Sequence, residues 1–296
     1  MENVAITNKK VKVALLSILS NSILVIGKTI IGILIGSVSI ISEAIHSGMD
    51  LVASVIAFLA VKISGKPADK EHPFGHGKVE NLSGFFEALL ILIAASLIIY
   101  EAINKITHQE PMENISLGLI IMGVSAVLNI IVSHLLMKVA KQTDSIALEA
   151  DALHLRADVY TSLGVFAGLG LIIITDFYII DPIIAILVAL FICKKAVELT
   201  IKSFNGLLDT CLSEEDISNI KKIISVEEKV LEYHKLRTRK SGSEKHIDFH
   251  LVVSDDFTVK ESHDLCNKLE HKIKEIIPLS KIVIHVEPYS SIANKR

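Results

Sequence analysis

The chain has 296 residues, of which 51% are hydrophobic and 21% charged, and its mean hydropathy is +0.53. A soluble domain of this length carries fewer apolar and more charged residues, so the composition predicts a membrane protein. The formal net charge of −3 argues against a nucleic-acid partner, which usually requires a basic patch. Three widely spaced cysteines indicate neither a disulfide framework nor a Cys-x-x-Cys metal site.

Six apolar runs approach the ~20 residues that a membrane-spanning helix needs. They lie at roughly 13–35, 38–63, 82–102, 115–139, 146–174 and 179–202. The second and fifth runs are interrupted by histidine and aspartate, but the apolar sequence on both sides still predicts a span. The first run has no small-residue cleavage site and is too long for a signal peptide.

Lysine is unevenly distributed between the two sets of loops. It is concentrated before the first span, between spans two and three, between spans four and five, and at the end of span six, whereas the opposite loops are short or acidic. The positive-inside rule therefore predicts that both termini are cytoplasmic. The short first loop, and the lack of a His-rich stretch between spans four and five, favour a prokaryotic plasma (inner) membrane.

Two of the predicted spans contain the same pattern, acid-Ala-apolar-His-x-x-x-Asp-x-x-x-Ser, at 43–54 and 151–162. Residues four apart share a helix face, so each span directs one imidazole and one carboxylate the same way. These candidate ligands are His46, Asp50, His154 and Asp158. Two nitrogens and two oxygens suit a tetrahedral divalent metal, with Zn²⁺ as the first candidate. Ionisable groups inside apolar runs mark ion pathways, which favours this interpretation over a solvated helix face.

Three further polar residues fall within the spans. Lys28 and Glu87 lie in the middle of spans one and three, where an ion pair between them is one way to accommodate both charges. His134 lies near the end of span four. For all three, a structural polar contact or snorkelling is favoured over a transport role.

The loop at 66–78 is short and contains several residues of the types that bind metals. Asp69, His72 and His76 are separated by proline and glycine, which shape a turn that lets the three side chains converge. The loop therefore predicts a second cation site, with a merely solvated polar loop as the alternative.

From about residue 209 the sequence becomes charged, and its apolar residues recur at shorter intervals. A capped helix start is followed by two alternating segments around a turn, a helix ended by proline and a third alternating segment. These elements begin at 213–216 and continue at 230–238, 240–243, 246–254, 258–277 and 281–287. The order α-β-β-α-β predicts a ferredoxin-like α+β domain, and divides the chain into domains 1–208 and 209–296.

Histidines recur through this second domain. Because residues two apart share one face of a strand, His285 points with Glu287, and His250 points with His246 and Asp248. His234 falls in the first strand and His263 on the helix. Strand histidines are also common on ordinary surfaces, so a metal site and a simple surface remain equal alternatives at this point.

Taken together, these motifs resemble the cation diffusion facilitator family of divalent-metal efflux transporters, and the resemblance covers nearly the whole chain. It rests on the paired ligand helices and on three segments. These are Asp-x-x-His-x-Phe-Gly-His-Gly-Lys at 69–78, Leu-Arg-Thr-Arg-x-Ser-Gly at 236–242 and Val-Ile-His-Val-Glu-Pro at 283–288.

The resemblance implies a homodimer with six membrane helices and a cytoplasmic ferredoxin-like domain. It implies a transport site of His46, Asp50, His154 and Asp158, and a loop site of Asp69, His72 and His76. It also implies a regulatory cytoplasmic site of His234, His250, His263, His285 and Glu287, and a charge interlock of Lys78 with Asp209 at the dimer interface.

The sequence departs from the family pattern at two places. Some bacterial relatives have aspartate where this chain has His46, which bears on metal selectivity. The cytoplasmic site often ends in aspartate after a polar residue, where this chain has Val286 and Glu287. The second departure bears on whether the cytoplasmic site holds one metal ion or two.

We therefore expect a homodimeric antiporter in the lipid bilayer, not an enzyme, that exports Zn²⁺ in exchange for protons and senses cytosolic metal through its second domain. A broader exporter of Fe²⁺, Co²⁺, Cd²⁺ or Mn²⁺ is the alternative within transport. A membrane-anchored metal sensor or scaffold would need the cytoplasmic site but not the paired spans. An intramembrane metalloprotease would need a His-Glu-x-x-His helix or an equivalent glutamate, and the sequence has no such run.

Overall fold

The structure is a computed structural model that describes residues 2–35, 38–107, 116–175 and 179–293. It divides into two compact units, Met1–Phe204 and Asn205–Arg296. The short or acidic loops, which the sequence predicts on the side opposite the lysine-rich loops, lie outside the described residues, at 36–37, 108–115 and 176–178.

The first unit consists of long helices. They are α1 Glu2–Ile35, α2 Val38–Ser64, α3 Lys78–Thr107, α4 Ser116–Thr143, α5 Ile146–Thr175 and α6 Ile180–Leu207. Helix α1 begins well before the predicted span because residues 2–12, although polar, contain no proline or glycine to end it. Within the described residues, four stretches are long and apolar enough to cross a membrane: Ala5–Leu34, Glu43–Ser64, Lys78–Thr107 and Ile120–Thr143.

The helices alternate in direction, so the starts of α1, α3 and α5 meet the ends of α2 and α6. Lys202 near the end of α6 donates to Glu149 in the first turn of α5 at 2.6 Å. We call this end of the bundle, from which α1 starts, the terminus-side end. Its interior is packed with apolar side chains of α1, α2, α4 and α5, including Ala14, Val61, Leu136 and Leu148.

One buried carboxylate holds several helices together at the terminus-side end. Glu80 in α3 is 1% exposed and accepts from Lys10 of α1 at 2.8 Å. The same carboxylate accepts from Ser64, the last residue of α2, at 2.6 Å, and from Ser145, which precedes α5. A buried charge is stable only when it is paired and hydrogen-bonded, and Glu80 meets both conditions through contacts with three other segments of the chain.

We predict that Glu80→Gln destabilises the first unit, because the neutral amide removes the carboxylate that forms the ion pair with the buried Lys10 ammonium. Breaking a buried ion pair costs about 3–5 kcal/mol, whereas an exposed pair contributes ~0–1 kcal/mol. Thermal unfolding of the detergent-solubilised full chain should show a clear drop for Glu80→Gln. Glu198→Gln, which removes the exposed pair with Lys195, is the control, and an equal drop in both variants would contradict the assignment.

The second unit is a small α/β domain, which confirms the prediction of a C-terminal domain built from both helices and strands. Its elements are α7 Glu214–Ser225, β1 Glu232–Ser241, β2 Glu244–Val253, α8 Val259–Ile276, β3 Ser280–Pro288 and a short α9 Ser290–Ala293 that the sequence analysis did not predict. Ser213 caps α7, and Thr258 with Glu261 forms a capping box on α8. Strands β1 and β2 are antiparallel, joined through Gly242 at φ 59°, and β3 pairs parallel to β2 after the α8 crossover.

The three strands form one sheet in the order β1-β2-β3, and its two faces differ. Ile247, Phe249 and Leu251 of β2 face the core, where they pack with apolar residues of α7 and α8 such as Ile220 and Leu269. The alternating residues of each strand point to the opposite face. A bulge in β1 between His234 and Arg237, with Lys235 at φ 52°, shifts the pairing register with β2.

Candidate metal centre

Helices α2 and α5 bring their His-x-x-x-Asp pairs together in antiparallel register. His46 Nε2 lies 3.8 Å from Asp158 Oδ1, and His154 Nε2 lies 3.0 Å from Asp50 Oδ1. Within α2, His46 Nε2 is 4.0 Å from Asp50 Oδ1. Ligand atoms of His46, Asp50 and Asp158 all lie within 4.8 Å of one another, and His154 adjoins them through Asp50. We refer to these four residues as the tetrad.

The tetrad has donor atoms available for a metal. His154 Nδ1 and Asp158 Oδ2 are buried, and neither has a hydrogen-bond partner. Asp50 is 8% exposed at its side chain, whereas His46 is 55% exposed into a cavity. Buried polar atoms are normally hydrogen-bonded. Ligand atoms without a hydrogen-bond partner, in a group of imidazoles and carboxylates, therefore fit a bound cation.

Polar residues on one face of α1 contact Ser54 of α2, which in turn hydrogen-bonds to the backbone of Asp50 in the tetrad. These α1 residues were not predicted from the sequence. Asn21 donates to Ser54 Oγ at 2.6 Å, and Ser54 donates to the backbone oxygen of Asp50 at 3.0 Å. Ser17 Oγ lies 3.2 Å from the same Ser54 hydroxyl. The signal in the sequence was the four-residue spacing of Ser17 and Asn21 within an apolar run, which places both on one helix face.

Helix α4 adds further polar atoms that the sequence analysis missed. Ser125 and Asn129, four residues apart, line the same cavity as His46, Asp50 and Asp158. The Ser125 hydroxyl and the Asn129 Oδ1 are buried without hydrogen-bond partners. Both oxygens are hard donors that suit a hydrated or partly dehydrated cation.

The cavity at the tetrad continues away from the terminus-side end. A wider cavity shares Glu43, His46 and Thr161 with it, and reaches Glu101 and Lys105 near the end of α3. The opposite half of the bundle is filled by the apolar cluster described above. Among the described residues, the tetrad is thus reached through the end of the bundle opposite the terminus-side end.

Lys28 and Glu87 do not pair with each other as the sequence allowed. Lys28 Nζ contacts Glu43 Oε2 at 3.1 Å and donates to Ser47 at 2.8 Å. Glu87 is fully buried and accepts from Ser83 at 3.2 Å. Lys28 and Glu43 are brought together by the packing of α1 against α2, and both line the tetrad cavity. His134 lies on an exposed side of α4.

The loop residues form a second cluster. Asp69 Oδ1 lies 3.4 Å from His72 Nδ1, and Asp69 Oδ2 lies 3.2 Å from His76 Nε2. The backbone N–H of His72 donates to Asp69 at 2.7 Å and holds the pKa of that carboxyl below its ordinary value. Gly75, at φ 81°, provides the turn that brings His76 back, a conformation that favours glycine.

The second unit aligns three histidines in one row across its sheet. His234 pairs with His250 across β1 and β2, and His250 pairs with His285 across β2 and β3. Glu287 joins all three, at 3.3 Å from His234, 2.8 Å from His250 and 3.6 Å from His285. The row lies on the sheet face opposite the α7 and α8 core, where a metal would be accessible.

His263 is not brought to this row within the chain. It lies on α8, where its Nε2 is 3.1 Å from Asn267 one turn later, while α8 packs against the opposite face of the sheet. Asp248, which shares the face of the row, instead pairs with Arg237 at 2.8 Å.

The two residues of the implied charge interlock lie in different units. Lys78 is the first residue of α3. Asp209, at φ 57°, accepts from Arg239 of β1 at 3.2 Å.

We predict a pH-dependent contribution of Glu287 to the stability of the second unit. The hydrogen bond from His250 holds the pKa of Glu287 below its ordinary value. Its stabilisation is therefore complete above pH ~4.3, the value for an unperturbed glutamate, and is lost as pH falls through the lower folded pKa. Urea unfolding of residues 205–296 in chelator should show a lower midpoint for Glu287→Gln at pH 7.

The difference between Glu287→Gln and the unmodified domain should shrink toward pH 3. Glu275→Gln, which removes an exposed carboxylate beside His271 on α8, serves as the control and should shift the midpoint little at either pH. A midpoint difference that stays constant between pH 7 and pH 3 would disprove the assigned role.

Comparisons with known proteins match both units. A family model described as the cation efflux transmembrane domain matches residues 14–208, and one described as the cation efflux protein cytoplasmic domain matches 212–289. The transporter sll1263 of Synechocystis sp. is 35% identical, over 86% of this chain and 82% of that protein. The manganese efflux system protein MneP of Bacillus subtilis is 32% identical, over 94% and 96%. The cation-efflux pump FieF of Shewanella oneidensis is 30% identical, over 86% and 85%.

Proposed function

The chain belongs to the cation diffusion facilitator family of membrane cation efflux transporters, and we propose that it exports Zn²⁺ from the cytoplasm by proton antiport through alternating access. The observation that carries this proposal is the tetrad, in which two repeated motifs on antiparallel helices meet inside an apolar bundle. The family consists of transporters and not enzymes, so the tetrad is interpreted as a site for cargo.

Charge balance supports a divalent cation as the cargo. Asp50 and Asp158 together contribute two negative charges, and His46 and His154 bind metals as neutral imidazoles. A dication in this set is neutralised, which matters because uncompensated charge is costly in a low-dielectric interior. Two imidazole nitrogens with two carboxylate oxygens favour tetrahedral Zn²⁺ over cations that prefer six oxygens.

A broader metal exporter is the second candidate. One relative is a manganese efflux system protein, and affinity order alone does not fix the metal that a protein handles in a cell. The unpartnered oxygens of Ser125 and Asn129 in the tetrad cavity add hard ligands of the kind that Mn²⁺ accepts. A metal sensor or scaffold would bind metal without moving it, and liposome flux separates that hypothesis from both exporters.

Proton exchange follows from the chemistry of the ligands. Metal binds deprotonated imidazole and carboxylate, so binding releases protons and protonation releases metal. Histidine titrates near neutral pH, where the two sides of a cell membrane differ. We propose that a tetrad facing a more acidic exterior exchanges its Zn²⁺ for protons and returns inward protonated.

The remaining proposals concern placement and assembly. We place all six long helices across a prokaryotic plasma membrane, with the terminus-side end in the cytoplasm, because the lysine-rich loops lie at that end. We propose a homodimer, in which Lys78 and Asp209 interlock, with a match to a cytoplasmic domain model in support. The loop cluster is proposed to bind a second cation, and the histidine row with Glu287 to sense cytosolic metal.

We predict that Asp158→Asn abolishes transport. The substitution keeps the side-chain shape but removes one of two negative charges that compensate the dication. In liposomes containing a zinc-sensitive dye, flux through Asp158→Asn should fall to the level of empty liposomes, and Asp50→Asn should behave alike. Asp256→Asn, an exposed acid of the second unit, should keep normal flux, whereas substantial flux through Asp158→Asn would rule out the tetrad as the transport site.

We predict that His46→Asp changes selectivity. A third carboxylate replaces a directional nitrogen donor, which weakens the preference for Zn²⁺ and favours cations that accept oxygen ligands. The ratio of Mn²⁺ to Zn²⁺ flux, measured on one liposome preparation, should rise several-fold. His271→Asp, at an exposed position of α8, is the matched control. An unchanged ratio for His46→Asp would exclude His46 as a selectivity ligand.

We predict that an acidic exterior drives export. Everted membrane vesicles with an acidic lumen should accumulate Zn²⁺, and each addition of Zn²⁺ should make the lumen more alkaline. An ionophore that collapses the pH gradient should stop accumulation. Unchanged uptake after the ionophore, with no zinc-dependent proton movement, would indicate a uniporter.

A further inference from the structure

Each of the two repeated motifs begins with an acid that is not a member of the tetrad. These acids are Glu43 in α2 and Asp151 in α5, each three residues before the histidine of its motif. Because α2 and α5 run antiparallel, the two acids lie on opposite sides of the tetrad. Asp151 lies beside Ser54 at 3.4 Å, toward the terminus-side end. Glu43 lines the cavity that leads the other way.

Asp151 is a buried carboxylate with spare capacity to bind. Its side chain is 0% exposed, and its Oδ1 lies 3.4 Å from the Ser54 hydroxyl, which donates to the Asp50 backbone oxygen and accepts from Asn21. Its other oxygen, Oδ2, is buried and has no hydrogen-bond partner, and among the described residues Asp151 forms no ion pair. An ionisable side chain in this environment is costly unless a cation or proton joins it, and such residues in membrane helices mark ion pathways.

Glu43 has the opposite environment. It is paired with Lys28 at 3.1 Å, and the Lys28 ammonium is itself buried and held by Ser47. The Glu43 side chain is 42% exposed and lines both the tetrad cavity and the wider cavity that reaches Glu101 near the end of α3. A cation that leaves the tetrad through these cavities passes Glu43.

On the basis of the proposed transport function, we infer that Asp151 and Glu43 are transfer ligands on the two sides of the tetrad. Each coordinates the divalent cation through one carboxylate oxygen as the cation enters or leaves. At Glu43 the dication binds Oε1, so that Oε2 keeps its contact with the buried Lys28 ammonium. The cation then stays next to a carboxylate along a path where full dehydration without a ligand would be prohibitive.

A transfer ligand affects the rate of transport more than the affinity of the site. The tetrad keeps its four donors when Asp151 or Glu43 becomes an amide, so equilibrium binding at the tetrad changes little. A cation that moves into or out of the tetrad then lacks the charged ligand next to the tetrad, so the energy barrier to its movement rises. By analogy with catalysis, an interaction present only during the transition changes the rate and not the ground-state affinity.

The test uses the full chain with Asp151→Asn, Glu43→Gln and the conservative variants Asp151→Glu and Glu43→Asp. Glu149→Gln is the matched control, since Glu149 lies on α5 two residues from Asp151 but pairs with Lys202 at the terminus-side end. Three quantities are measured for each variant: the melting temperature, the maximal Zn²⁺ flux in liposomes, and the equilibrium binding of radioactive Zn²⁺. Binding is measured after the other two metal clusters have been removed by alanine at His72, His76, His234 and His250.

We expect Asp151→Asn and Glu43→Gln to keep the melting temperature and to bind Zn²⁺ within about twofold of the unmodified chain, but to lose at least tenfold in maximal flux. The conservative variants should recover part of that flux, and Glu149→Gln should keep all of it. Normal flux in both amide variants would overturn the inference. Loss of Zn²⁺ binding together with flux would also overturn it, because the acids would then belong to the binding site or to the fold. If the unmodified chain itself shows no flux, the proposed function fails instead.

Discussion

The first unit depends on one constraint: two carboxylates lie close together inside an apolar bundle. Asp50 and Asp158 face each other across α2 and α5, with an imidazole beside each. Negative charges this close in a low-dielectric interior repel strongly unless a cation or protons compensate them. The proposed exchange satisfies this constraint, because either a bound metal ion or protons can compensate the two carboxylates.

The rest of the bundle fixes the geometry that this constraint needs. Ser54 is held by Asn21 and in turn holds the backbone of Asp50, so α1 determines where α2 presents its carboxylate. At the terminus-side end, Glu80 ties α1, α2 and α3 to the start of α5. The alternating access proposed for this chain requires the helices to move against each other, and such a movement has to keep the Glu80 charge paired, because breaking a buried ion pair costs about 3–5 kcal/mol.

The periodicity of the sequence predicted much of the fold. The repeated spacing of four placed His46 with Asp50 and His154 with Asp158 on common helix faces, and the alternation in the strands placed the histidines on one face of the sheet. Helix direction then determined which residues meet between helices, and no local pattern encodes that. The pairing of Lys28 with Glu43, not Glu87, depends on how α1 lies against α2.

Other features were missed because their signals are not specific. Ser17, Asn21, Ser125 and Asn129 are small polar residues within spans, and such residues occur in many helix contacts without any role in binding. The strand register that aligns His234, His250 and His285 depends on the bulge after His234, and on a parallel pairing between segments far apart in the sequence. Composition and spacing indicate ligand types, whereas the assembled helices and strands decide which ligands meet.

The proposed function requires that the tetrad itself binds the transported ion with four ligands. X-ray absorption at the zinc edge tests this most directly, on a full chain in which His72, His76, His234 and His250 are replaced by alanine to remove the other clusters. A four-ligand tetrad predicts one Zn²⁺ per chain, four-coordinate, with nitrogen and oxygen ligands at about 2.0–2.2 Å and an imidazole signature from two histidines. A six-coordinate spectrum dominated by oxygen, or no bound zinc at all, would contradict it.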